Sequence, residues 1–397
     1  MDQDAGSARD PGDGRVVHNP GGSPRVVVTK LLPGERWLRL LLAAGCRVDV
    51  SPSRCLLGDD EIAAAIGDDC AAVIGQLTET WGRPLLKRLA AAGGRIYSNY
   101  AVGINNVDVE AATRLGLAVG NTPGVLTETT AELTVALTFA AARHIAAGDA
   151  FMRRGDFAAC GWLPDLMLGK LLHRRTLGII GAGRIGAAYA RALVAGLSME
   201  LVYYDLSPND ELERFVRDYS ALLAARGEAP VGVRRAATLD DLLRAADVVS
   251  IHTDLNPSTR HLMGAEQFAR MKDDAIFVNA ARGALHDEDA LVAHCRSHPS
   301  FCAALDVYEA EPRMATGLAE LPNVVVVPHL GSATDWTREG MATLAAANVT
   351  AVLQKDPVWD RSDVLPFLSD DPPAAAPSIV NAAELGLPGC SKSQEAS

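Results

Sequence analysis

Between Arg25 and Pro123, short apolar runs alternate with stretches whose apolar residues recur at helical spacing. RVVVTKLL, CRVDVS, AAVIG, GRIYSNYAVG and LAVGNTP predict strands, and ERWLRLLLAAG, DDEIAAAIG, RPLLKRLAAAG and VDVEAATRLG predict the helices between them. Apolar strands separated by helices form a wound α/β layer, because a parallel sheet needs both faces covered. The following run, TETTAELTVALTFAAARHIAAGDAFMRRGDF, predicts one long helix, with acid early and arginine late in agreement with the helix dipole. Its apolar residues cover more than one face, which predicts burial between domains or against a second subunit.

A second layer begins at Leu177 with LGIIGAGRIG, where an apolar strand breaks into glycines and then into the helix-forming AAYARALVAGL. In such a turn Gly181 allows the tight bend, Gly183 admits close approach of a pyrophosphate, and Gly186 lets helix and strand pack. The exposed N–H groups and helix dipole attract the anion. The next run, LVYY, ends in Asp205, whose carboxylate can accept ribose hydroxyls and repel a 2′-phosphate, favouring NAD(H) over NADP(H). Further strands are predicted at 247–251, 275–278, 303–307 and 323–327, and a helix from Trp336. The polar stretch 209–237 exceeds an ordinary connection and predicts an inserted helix. Residues 1–24 read as a disordered tail, and the Pro-, Ala- and Ser-rich 369–397 as a flexible one.

At 397 residues the chain has room for two domains, and 48% hydrophobic with 22% charged residues is a globular composition. The net charge of −12 argues against a nucleic-acid or anionic-membrane partner. No apolar run is long enough to span a bilayer. Seven scattered cysteines without a CxxC indicate neither a disulfide framework nor zinc, and they suit a reducing compartment. No metal is expected. The acidic N-terminus fits neither a secretory signal nor a transit peptide, so the termini point to the cytoplasm.

Ligands of an open parallel sheet sit beyond the carboxyl ends of its strands. Arg282 follows AIFVNA, Glu309 and Glu311 follow AALDV, and His329 follows NVVVVP. Arginine offers a planar fork of donors for a carboxylate. Histidine exchanges protons near neutrality, and a carboxylate on its other nitrogen orients the ring and favours its charged form. Together they suit reduction of a 2-keto acid. His144, His173, His286, His294 and His298 have no ligand-like spacing.

AVGINNVD (101–108), NTPG (121–124), NAARG (279–283), DVYEAEP (306–312) and PHLGSAT (328–334) resemble, in order, the motifs of the D-2-hydroxyacid dehydrogenase family. SNYAVGINNVDVEAA, YYDLSP with the insertion behind it, DWTREGMATLAAANV and SIVNAAELGLP are similar to its plant and algal NADH-dependent hydroxypyruvate reductases. The resemblance implies two Rossmann-like doubly wound parallel-sheet domains with an interdomain cleft. The substrate domain would take 25–125, completed by 336–368, and the NAD-binding domain 126–335. It implies a catalytic triad of Arg282, Glu311 and His329, with Glu309 a bystander and the substrate carboxylate also held by backbone N–H groups of Val102 and Gly103. Arg184, Ile185 and Asp205 would hold the adenosine half of the cofactor, and Thr253, Ala280 and Asp306 would lie near its nicotinamide.

The implied activity is photorespiratory reduction of hydroxypyruvate to D-glycerate, with glyoxylate to glycolate as a side activity, by a homodimer. Phosphoglycerate dehydrogenase and an NAD-responsive corepressor are the alternatives. Two departures stand out. Asp254 occupies a position where many members have proline, and the C-terminal SKSQEAS differs from the Ser-Lys-Leu peroxisomal address of the plant subgroup. The family otherwise implies a peroxisome or mitochondrion.

Overall fold

The computed structural model describes residues 7–9 and 14–390. It divides the chain into two compact units, Met1–Leu126 with Ala333–Ser397, and Thr127–Ser332.

The first unit opens with β1 (Ser7–Arg9), β2 (Val16–His18) and β3 (Arg25–Val28), followed by α1 (Arg36–Ala43), β4 (Arg47–Val50) and α2 (Asp59–Ile66). It continues through β5 (Ala72–Gln76), α3 (Arg83–Ala91), β6 (Ile96–Tyr100), α4 (Val109–Arg114) and β7 (Ala118–Gly120). The sheet order is β1-β2-β4-β3-β5-β6-β7, parallel from β4 onward, with β1 and β2 antiparallel at one edge. Alternate residues of β3 enter different cores: Val26 and Val28 pack with Trp37 and Leu41, Val27 with Ile62 and Leu86. That two-sided burial is why the strands read as unbroken apolar runs.

The second unit begins with three helices, α5 (Thr127–Ala142), α6 (Ile145–Arg154) and α7 (Asp156–Cys160), where the pattern predicts one. The break falls at His144 and Gly155, both in the left-handed conformation (φ 53° and 81°), which no continuous helix accommodates. There follow β8 (Thr176–Ile180), α8 (Arg184–Leu197), β9 (Glu200–Tyr204), α9 (Asp210–Ala225), β10 (Val233–Arg235), α10 (Leu239–Ala245), β11 (Val248–Ile251) and α11 (Ala265–Phe268). β12 (Ile276–Asn279), α12 (Glu288–Ser297), β13 (Cys302–Leu305) and β14 (Val324–Val326) complete it. All strands are parallel, in the order β10-β9-β8-β11-β12-β13-β14, the Rossmann arrangement extended by one strand. The predicted inserted helix is α9; Asn209 caps it and it buries Leu212, Val216 and Leu223.

α13 (Asp335–Gln354) returns the chain to the first unit. It is buried along almost its whole length, its Ala345 carbonyl accepts from Ser98, and Met341, Leu344 and Val349 join the core around α1.

Both predicted tails need correction where the structure describes them. Val16–His18 pairs with β4 and Val17 is buried, so residues 14–24 close a sheet edge that would otherwise expose unpaired backbone. Residues 1–6, 10–13 and 391–397 lie outside the described residues. Within 369–390, Ala375, Ala376 and Ile379 are buried, and Asn381 is bonded in place. Its Oδ1 accepts from Val119 N (2.9 Å), and its Nδ2 donates to Leu117 O and Thr113 Oγ1 (both 2.9 Å). Asn381→Ala strands Val119 N and Leu117 O in the interior, so a loss of about 2–4 kcal/mol is expected in denaturant unfolding. An unchanged midpoint would mean that the C-terminal segment does not anchor this unit.

Candidate active site

The glycine turn between β8 and α8 is closely packed at two of its glycines and open at the third. Gly181 sits at φ 90°, and a Cβ there would lie 2.8 Å from the Thr253 backbone nitrogen. A Cβ on Gly186 would come within 2.2 Å of the Gly181 carbonyl, so neither position tolerates a side chain. A Cβ on Gly183 would meet no protein atom within 4 Å, and Gly183, the N-cap of α8, supplies no side-chain cap to the first N–H groups. That is a cradle open to an anion at a helix N-terminus. Arg184 is exposed and Ile185 half-buried in the first turn of α8.

Asp205 ends β9. Its Oδ2 accepts from Ala182 N at 2.8 Å and its Oδ1 from Ser207 N at 3.3 Å, so the carboxylate is tied across the glycine turn. Beside it lies a cavity of about 370 Å³ lined by Tyr204, Asp205, Leu206, Arg235, Ala236 and Ala237.

The remaining residues lie along the same sheet edge. Thr253 follows β11, Ala280 and Arg282 follow β12, Asp306 follows β13, and His329 follows β14. Asn279, the first residue of the NAARG motif and one to which the motif alone gives no role, organises the β12 end: its Oδ1 accepts from Ala281 N (2.9 Å) and its Nδ2 donates to Arg282 O (2.8 Å). An Asx residue just beyond an apolar run is the signal that could have exposed it. Its amide also meets His286 Nδ1 at 3.0 Å; burial pushes that imidazole down to about 4, so it is neutral. Burial likewise lowers the pKa of the Arg282 guanidinium, against the charges of Glu311 and Asp254.

His329 Nδ1 lies 2.9 Å from Glu311 Oε2, while Glu311 Oε1 accepts from Tyr308 N at 3.0 Å. Burial acts to raise the Glu311 pKa. The hydrogen bond and charge of His329, the Tyr308 N–H and Arg282 outweigh it, so the carboxyl falls below its ordinary value of 4.5. Glu309 instead pairs with Arg260 and His261.

His329 has φ 54°, a left-handed backbone that costs a residue with a side chain on the order of 1–3 kcal/mol. Asp306 compensates: its carbonyl accepts from His329 N, and its carboxylate from Leu330 N and Gly331 N. Thr130 Oγ1 adds a bond to Gly331 O at 2.9 Å. Glu288, absent from the sequence reading, holds the preceding loop by accepting from Glu309 N and Ala315 N.

Val102 and Gly103 lie in the first unit after β6. Their carbonyls accept from Asn121 Nδ2 and Asn99 Nδ2, each at 2.8 Å. Among the described residues no group of three or more His, Cys, Asp or Glu could hold a metal ion.

A seven-stranded parallel sheet with an open glycine turn at a helix N-terminus, a carboxylate after the second strand and a His–Glu contact, all on one edge, is the arrangement of the dinucleotide-dependent oxidoreductases. Residues 135–331 match the family model described as "D-isomer specific 2-hydroxyacid dehydrogenase, NAD binding domain". The chain is 54% identical to glycerate dehydrogenase of Cucumis sativus over 374 residues, covering 93% of this chain and 97% of that protein. It is 53% identical to the peroxisomal glycerate dehydrogenase HPR of Arabidopsis thaliana over 376 residues (94% and 97%). Among solved structures, a glyoxylate reductase from Paecilomyes thermophila superposes with a TM-score of 0.70 at 28% identity, covering 84% of this chain and 97% of that one. The chain belongs to the D-isomer specific 2-hydroxyacid dehydrogenase family, and its cofactor is NAD.

Because Glu311 titrates below the ordinary glutamate value, its contribution to stability is present above that value and lost as pH falls through the lowered one. Glu311→Gln should flatten this acid-side part of the stability curve, measured by unfolding at a series of pH values. An acid limb identical to the parent's would dissociate Glu311 from it. Asp306→Ala leaves two N–H groups without acceptors beside a strained residue, and a loss of about 2–4 kcal/mol is expected in the same measurement.

Proposed function

We propose that the protein reduces hydroxypyruvate to D-glycerate with NADH, and glyoxylate to glycolate as a side activity. The observation that carries this reading is the 2.9 Å contact between His329 Nδ1 and Glu311 Oε2, at the sheet edge that also bears the glycine turn and Arg282. The relatives named glycerate dehydrogenase support the substrate, since oxidation of glycerate at C2 and reduction of hydroxypyruvate are one reaction in two directions. Glyoxylate presents the same carboxylate beside a reducible carbonyl.

Bound NADH supplies the hydride. Residues around Gly181, Gly183, Gly186, Arg184 and Ile185 hold its pyrophosphate and adenosine half. Asp205 accepts the ribose hydroxyls and disfavours the added phosphate of NADPH by charge repulsion. Thr253, Ala280 and Asp306 belong to the nicotinamide side. The Arg282 guanidinium binds the substrate carboxylate and polarises the keto oxygen, and backbone N–H groups of Val102 and Gly103 are further donors to the carboxylate. With Nδ1 held by Glu311, His329 delivers the proton to the substrate oxygen from Nε2, and the Glu311 carboxylate sustains the imidazolium before transfer.

A homodimer is part of the proposal. α6, α7 and the segment up to residue 171 expose Ile145, Met152, Trp162, Leu163, Leu168 and Leu171, apolar side chains that a second subunit would cover. The peroxisome is the proposed compartment, on the strength of the Arabidopsis relative's name. No helix among the described residues is long and apolar enough to cross a membrane.

Steady-state rates with hydroxypyruvate, glyoxylate and 3-phosphoglycerate test the substrate, with hydroxypyruvate expected to give the highest kcat/KM. A preference for 3-phosphoglycerate would overturn it. His329→Ala should lower kcat by about 10²- to 10⁴-fold while leaving NADH binding intact. Arg282→Ala should raise the substrate KM as well as lower kcat. Near-normal turnover of the His329 variant at neutral pH would mean that another group supplies the proton.

A further inference from the structure

The stretch from 209 to 237 carries the helical crossover from β9 to its parallel neighbour β10, and both of its ends come back to the glycine turn. At its start, Asn209 does two things with one side chain. Its Oδ1 accepts from Leu212 N at 2.9 Å, capping α9, and its Nδ2 donates to Ala182 O at 2.7 Å. Ala182 is the residue whose N–H holds the Asp205 carboxylate. The peptide groups flanking Ala182 are therefore gripped on one side by Asp205 and on the other by Asn209. The backbone N–H of Asn209 is fixed in turn by Tyr203 Oη at 3.1 Å, which itself donates to Glu213 Oε1 at 2.6 Å within α9.

At the other end, Arg235 on β10 reaches back to the turn after β9. Its Nε and Nη2 donate to Asp205 O at 3.1 and 2.8 Å, and Nη2 also donates to Leu206 O at 2.7 Å. A guanidinium matches two neighbouring carbonyls with a planar fork, so it sets the orientation of the turn as well as its distance. Arg235 lines the same cavity as Asp205.

The geometry points to Asn209 and Arg235 as positioning residues for cofactor selection. They close the insertion into a clamp that holds the Asp205 carboxylate in register with the glycine turn, so that the adenosine ribose of NADH meets a preorganised acceptor. The clamp rests on the reading that Asp205 receives that ribose.

Five variants of the full chain test it: N209S, N209A, R235Q, R235K and D205A. NADH and NADPH dissociation constants come from fluorescence titration, kcat and KM for each cofactor from steady-state assays, and thermal midpoints from melting. N209S separates the two roles of the asparagine, because a serine oxygen still caps α9 but offers no amide to Ala182 O. N209S and R235Q should keep the parental midpoint and the kcat at saturating NADH while weakening NADH binding about three- to tenfold, the worth of one or two hydrogen bonds. NADPH binding should change little, so the preference narrows. R235K should recover part of the loss, and N209A should add a loss of stability.

Parental NADH affinity and preference in both N209S and R235Q would overturn the clamp, as would an equal weakening of both cofactors that tracks a lowered midpoint. D205A distinguishes the two failures. If D205A narrows the preference while N209S and R235Q do not, the clamp alone is wrong; if D205A leaves it unchanged, the ribose reading is wrong.

Discussion

The Thr127–Ser332 unit is governed by one constraint: its parallel strands are buried on both faces. Val248, Ile276 and Val278 face one core and Val249 and Phe277 the other, so the central strands have no side on which a charged group could meet water. Polar chemistry is confined to strand ends, and parallel direction places all the carboxyl ends on one edge. Gly181, Asp205, Thr253, Arg282, Asp306 and His329 share that edge because each follows a different strand of one sheet. A site assembled this way needs its loops held rigidly, since the strands fix only where each loop begins.

Carboxylates accepting backbone N–H groups do much of that holding. Asp306 fixes the left-handed turn at His329, Glu288 fixes the loop bearing Glu309, and Asp205 fixes the glycine turn. Burial raises the pKa of Asp306 and Glu288, with the N–H groups opposing it. Glu311 shifts the other way although it too is partly withdrawn from water, because it faces an imidazole and a guanidinium. At Asp306 and Glu288 burial wins over the groups that oppose it, whereas at Glu311 the contact with His329, the Tyr308 N–H and Arg282 together outweigh burial.

Local pattern carried the strands, the inserted helix α9 and α13, because two-sided burial forces unbroken apolar runs and helix burial forces helical spacing. It also carried the positions of Gly181, Gly183 and Gly186, since the turn excludes a side chain at the first and last of them and leaves the second open. Pattern failed where a segment owes its order to distant partners. VVH at 16–18 is too short to show a period, and it is a strand only because β4 offers an edge. The C-terminal stretch is rich in turn-forming residues, and its order comes from Asn381 reaching back to Thr113, Leu117 and Val119. The break after Ala142 was hidden because Arg143 and His144 do not interrupt a helical composition; it lies in the left-handed backbone of His144.

The sequence by itself determined the strand and helix periods, the glycine turn and the type of residue at each strand end, since these follow from interactions within a few neighbours. Tertiary structure alone decided what those residues do to one another: that Asn279 steers the loop carrying Arg282, that Glu309 pairs with Arg260 and His261, and that Asn209 and Arg235 converge on Ala182 and Asp205. Such contacts join atoms far apart along the chain at hydrogen-bond distances. A displacement of an ångström removes them, and no local periodicity encodes distance at that scale.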